Sequence, residues 1–135
     1  MTKFFTYRKQ EKLKSRKLIE QLFSKGKSFT VFPLKVFYLL MDAPLDFNIK
    51  IGVGASTKNF KKAVHRNRIK RLLREAYRTE KLLLHNYLQQ HNKHIIIFLL
   101  FIDKTLPDYT TIKNKMPFIL QQLIKELNEE IAANT

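Results

Sequence analysis

Nine lysines and arginines and a single acid, Glu75, fall between Lys58 and Arg78. Their spacing gives them a use. On a helix turning about 100° per residue, His65, Ile69, Leu72, Leu73, Ala76 and Tyr77 share one apolar face. Asn67, Arg71, Arg74 and Arg78 stack on the opposite side. Lys70 borders that row, Arg68 lies across it, and Arg66 sits near the apolar edge. Guanidinium is a planar, permanently charged fork that pairs bidentately with phosphate. Solvated helix faces usually mix charge signs. This one does not, so it reads as a surface for a polyanion. Glu75 is a helical neighbour of both Arg71 and Arg78, and is expected to form an ion pair with one of them.

Other chemistry finds little support. The one G-x-G, Gly52 and Gly54, lacks the rest of a phosphate-binding fingerprint. There is no HExxH, and His65, His85, His91 and His94 are not at zinc spacing. A protein-only nuclease needs carboxylates to hold Mg²⁺, and the basic stretch has only Glu75. No catalytic or metal-binding residue is therefore assigned. Nucleic-acid binding without catalysis is what remains. Aromatics beside a basic groove can stack on unpaired bases, and Phe23, Phe37 and Tyr38 are the candidates.

The 135 residues suffice for one domain with a real core, and residues 1–135 are read as such. The net charge is +15, and it is sorted along the chain. Residues 1–78 hold 20 basic and 5 acidic side chains, whereas residues 79–135 hold 6 of each. The first part reads as binding surface and the second as scaffold. Cysteine is absent, which excludes disulfides and thiolate metal sites and suits a cytoplasmic protein. The N-terminus lacks the apolar run of a signal peptide. The longest apolar run, Ile95 to Ile102, is eight residues, far short of a membrane span. A membrane partner is not expected, because the apolar stripe of the basic helix is accounted for as core. Nor is a small-molecule cofactor.

Several elements must position these residues. Residues 1–14 read as a basic arm, flexible through about residue 12. Ser15 is placed to cap a helix that carries Leu18, Ile19, Leu22 and Phe23 and that Gly26 ends in the C′ role. On spacing alone, Phe23 is core. Pro33 forbids a continuous central strand, so a strand starts at Leu34. Its Lys35, Phe37, Leu39, Met41 face is not wholly core. After a turn at Asp42–Asp46, Phe47–Gly54 alternates cleanly, with Gly52 and Gly54 on its outward face. These two strands are expected to form an antiparallel hairpin. A basic loop, Ala55–Lys62, leads to the organising helix. A short helix follows over Glu80–His91, then a strand buried on both faces from His94 to Ile102. Pro107 and Asp108 open a last helix, which either kinks at Pro117 or begins its regular part near Met116. The order predicts an α+β sandwich, two layers with helices around one small mixed sheet.

The run from Ala63 to Glu75, AVHRNRIKRLLRE, resembles the signature of the bacterial ribonuclease P protein component: AV, any residue, RNR, then a basic and apolar helix. Leu13–Gly26 resembles that family's first helix. Phe32–Met41, Phe47–Ser56 and His94–Phe101 fall where its strands would, and the likeness covers roughly residues 10–130. The resemblance implies an unusual left-handed βαβ crossover, an exception to the common handedness. It also implies a function. The protein would assist a catalytic RNA that removes the 5′ leader of precursor tRNA, with Mg²⁺ held mainly by that RNA. The face toward the catalytic RNA would then be Arg66, Asn67 and Arg68, with Lys70, Arg71 and Arg74, and with Lys58, Lys61 and Lys62 from the preceding loop. A cleft for the single-stranded leader would include Phe23, Lys35 and Phe37, which moves Phe23 out of the core. The chain departs from the family pattern at Ser56-Thr57-Lys58, where Ser-Lys-Lys is common. It also departs in Asn59–Lys62, which lacks a glycine, and at Ile19, where many members carry an aromatic. The alternatives are a ribosomal or assembly-type protein that binds structured RNA without a role in cleavage, and a binder of duplex DNA.

Overall fold

The computed structural model describes residues 12–41 and 48–133. Most of the expected arm, the turn at Asp42–Asp46 and Phe47 lie outside the described residues. The elements are α1 (Arg16–Lys25), β1 (Lys27–Val31), β2 (Leu34–Met41), β3 (Ile49–Ala55), α2 (Ala63–Glu80), α3 (Leu82–His91), β4 (His94–Phe101) and α4 (Tyr109–Ala133).

Ser15 caps α1 as expected, its Oγ accepting the Leu18 N–H at 3.3 Å. Gly26 ends the helix for a different reason from the one anticipated. Its φ of −75° is ordinary extended backbone. A Cβ there would lie 2.3 Å from the Leu22 carbonyl oxygen and 2.8 Å from that of Tyr38. Close passage of two backbones, not a left-handed cap, requires glycine.

The sheet order is β1-β2-β4-β3. The expected β2–β3 hairpin does not form. β4 lies between them, antiparallel to β2 and parallel to β3. The physical reason is in β4 itself. HIIIFLLF is apolar on both faces, so the inner position, with both edges paired, suits it best. β1, which the sequence did not reveal, pairs with β2 across Phe32-Pro33.

One sheet face carries Val36, Tyr38, Ile51, Ile97 and Leu99, and packs on α2, α3 and α4 through Ile69, Leu73, Leu88, Met116 and Leu120. The opposite face carries Phe37, Leu39, Ile96 and Phe98, and among the described residues α1 and Leu13 cover it, through Leu18, Ile19 and Leu22. The α+β architecture is as expected, with α1 adding partial cover outside the two main layers. Lys12, the end of the expected arm, bridges to Ile51, and the Leu13 N–H donates to the Ile51 carbonyl at 3.0 Å. α4 runs unbroken through Pro117, because Met116, Ile119 and Leu120 around it are buried in the core.

Candidate nucleic-acid interface

Two groups of side chains emerge, one on α2 and its preceding loop, the other on the thinly covered sheet face. The apolar stripe of α2 packs as the periodicity requires: Ile69, Leu73, Ala76 and Tyr77 are buried, and Leu72 and His65 border them. Asn67, Arg68 and Arg71 are exposed on the outer side. Lys70 and Arg74 are half-buried, and the Arg74 Nε is buried without a hydrogen-bond partner among the described residues. Glu75 pairs with Arg78, not Arg71. That hydrogen bond lowers the Glu75 carboxyl below its usual range and raises Arg78. The helix starts without a side-chain cap and with no acid in its first turn. Its positive dipole end therefore adds to the charge of Lys61 and Lys62, a combination that favours an anion nearby.

Arg66 behaves differently from its RNR neighbours. Its Nη1 donates to the carbonyls of Phe60 and Lys61, each at 2.8 Å. The same loop is anchored from within. The Phe60 ring is buried 6.0 Å from that of Phe101. Its N–H donates to the Ser56 carbonyl at 2.9 Å. Ser56 Oγ accepts from the N–H groups of Lys58 and Asn59, at 3.1 and 3.4 Å. A serine turn, an aromatic anchor and an arginine clamp hold this loop, which accounts for its lack of glycine. They leave Lys58, Lys61 and Lys62 exposed.

On the other sheet face, Phe23, Lys35 and Phe37 converge as expected. Phe23 is 51% exposed at the open end of α1. Its ring meets Phe37 edge-on at 5.0 Å and Phe98 at 5.6 Å. Lys35 Nζ lies 5.2 Å from the centre of the Phe37 ring, close enough for cation–π attraction. Phe98 joins this group without having been assigned to it, since a continuously apolar strand gives no sign of which residue is uncovered. The glycines carried the missing signal. A Cβ on Gly54 would lie 2.7 Å from Phe98 Cζ, and one on Gly52 would lie 3.0 Å from Phe98 Cδ2. Both glycines clear a seat for the ring. Ile19 is half-buried against the same apolar cluster, as floor and not as a stacking ring. Tyr38 is excluded from stacking. It points to the opposite face, 2% exposed, and burial together with Glu126 pushes its hydroxyl up to about 12.

The sequence model of the family described as Ribonuclease P matches residues 7–123. The chain is 38% identical over 112 residues to the ribonuclease P protein component of Porphyromonas gingivalis, covering 83% of this chain and 82% of that one. To the component of Chlorobium phaeobacteroides it is 32% identical over 126 residues, covering 86% of each. Among solved structures, the RNase P protein from Thermotoga maritima superposes with a TM-score of 0.62 at 24% identity, over 83% of this chain and 96% of that one.

Proposed function

The chain belongs to the ribonuclease P protein family, the protein part of an endoribonuclease whose partner is an RNA, and on that premise we propose how its two faces divide the work. The outer side of α2, with Asn67, Arg68 and Arg71 foremost, binds the catalytic RNA. Lys58, Lys61, Lys62, Lys70 and Arg74 supply further charge beside it. The cleft of Phe23, Lys35 and Phe37 holds the single-stranded 5′ leader of precursor tRNA. The ribosomal or assembly-type alternative is not favoured by the family relationship.

One observation carries the leader assignment. Phe23 is half in water although a clustered aromatic would gain by full burial. Three rings with their edges in contact, beside a lysine, suit a strand whose unpaired bases stack while its phosphates meet positive charge. Localised positive charge on the protein lowers the repulsion between two polyanions and displaces their counterions. Mg²⁺ belongs, in this reading, to the RNA. Among the described residues no three His, Asp or Glu side chains gather as a metal site, and Glu75 is engaged by Arg78. The protein acts in the cytoplasm, with the RNA it serves.

The experiment is Phe37→Ala, assayed with leader-bearing precursor and with mature tRNA. Loss of one stacked base corresponds to about 1–3 kcal/mol, roughly five- to a hundredfold in affinity. The loss is expected for the precursor and not for mature tRNA. Equal losses on both would overturn the cleft.

A further inference from the structure

A furrow runs along the side of α2 that faces the start of α4. Val64, Arg68, Arg71, Leu72 and Glu75 form one wall, and Leu106, Asp108 and Tyr109 the other. Its two lobes measure about 470 and 560 Å³, within the roughly 300–1,000 Å³ typical of ligand pockets. Arg68 and Arg71 line both lobes, so the pair stands at the middle of the furrow. Among the described residues neither guanidinium has a hydrogen bond or an ion pair.

The acids nearby are already committed. Glu75 is held by Arg78. Asp108 accepts from the Thr111 hydroxyl at 2.6 Å and the Thr111 N–H at 2.8 Å, which lowers its carboxyl below the usual range. Both keep their negative charge, Glu75 at the edge of one lobe and Asp108 at the edge of the other, but each has a partner of its own and neither is paired with Arg68 or Arg71. Val64 and Leu106 are exposed although large and apolar. Apolar side chains beside the two guanidiniums, Val64 and Leu106 in one lobe and Leu72 and Tyr109 in the other, complement a ligand that is flat and apolar at one end and anionic at the other.

We propose that this furrow is a binding site for one unpaired nucleotide of the catalytic RNA. The phosphate sits between Arg68 and Arg71, and the base lies in the lobe walled by Leu72 and Tyr109. The proposal rests on the reading of α2 as the RNA face, and adds to it a specific subsite on the α4 side. Tyr109 is its distinguishing residue, because a stacking contact depends on the ring and not on charge.

The test measures affinity for the cognate catalytic RNA across a salt series, using folded full-length variants whose thermal midpoints match the parent. Tyr109→Ala is expected to weaken binding about five- to a hundredfold with the salt slope unchanged. Tyr109→Phe, which keeps the ring, is expected to bind as the parent does. Arg68→Ala is expected to weaken binding and to reduce the salt slope by about one. Base-specific chemical probing of the RNA should show one unpaired nucleotide protected by the parent protein and reactive with Tyr109→Ala. If Arg68→Ala binds normally with an unchanged slope, the RNA-face reading fails. If Arg68→Ala behaves as expected but Tyr109→Ala binds normally and no base changes reactivity, the furrow is an electrostatic surface only and the nucleotide subsite is overturned.

Discussion

The guanidinium of Arg66 donates to the Phe60 carbonyl at 2.8 Å, six residues back along the chain. A second bond of equal length reaches Lys61. Arg66 thus faces the protein while Asn67 and Arg68, its neighbours in the RNR run, face solvent. The first arginine of the motif holds the loop that displays Lys58, Lys61 and Lys62. Its contribution to RNA binding on this account is largely through that loop.

This makes Arg66→Lys informative. Lysine keeps the charge but loses the fork that reaches two carbonyls at once. Hydrogen bonds to charged groups contribute about 1.5–3 kcal/mol each, less where solvent competes. Faster hydrogen exchange is expected at the Phe60 amide, which donates to Ser56, together with weaker RNA binding. Unchanged exchange in the lysine variant would show that charge alone matters at this position.

Gly54 and Phe98 give a second prediction. Gly54→Ala sets a Cβ 2.7 Å from the Phe98 ring, against 3.0 Å for Gly52→Ala. Overpacking of this kind costs about 1–3 kcal/mol, so Gly54→Ala should lower the unfolding midpoint more than Gly52→Ala does. Because Phe98 in turn meets Phe23, leader affinity should fall as well. Adding Phe98→Leu to Gly54→Ala should recover part of the stability, which a double-mutant cycle measures. Strict additivity would mean that the glycine is not making room for the ring.

Tyr38 supplies a pH test. Burial, with Glu126, raises its hydroxyl from 10.0 to about 12. The folded state therefore holds this proton more tightly than the unfolded state. The contribution is fully present below pH about 10 and is lost as pH rises toward 12. Chemical denaturation between these limits should show stability falling with pH, and Tyr38→Phe should flatten that part of the curve. A slope unaffected by Tyr38→Phe would assign it to another group.

Much of this could be read in the sequence, for identifiable reasons. α2 was legible because its apolar period and its charge agree. Ser15, Asp108 and Pro33 marked boundaries because each acts through its own backbone neighbourhood. Strand order was not legible. Which strand lies beside β3 depends on how β4 satisfies both of its edges, a non-local condition that no short window contains. The cleft was half legible. Lys35 and Phe37 declared a face that is not pure core, but Phe98 was hidden in an unbroken apolar run until the opposing glycines could be set beside it. Arg66 was half legible as well: the helical period sets it near the apolar edge, but its partners are backbone carbonyls, which sequence patterns do not display.

Reconstitution decides whether this chain assists an RNA in maturing the 5′ end of tRNA by supplying charge and a cleft. Precursor-tRNA cleavage by the cognate RNA is measured at low Mg²⁺ with and without the protein. Strong stimulation is expected at low Mg²⁺, shrinking as Mg²⁺ is raised and the ions take over the screening. Protein that binds the RNA yet leaves cleavage at low Mg²⁺ unchanged would contradict it.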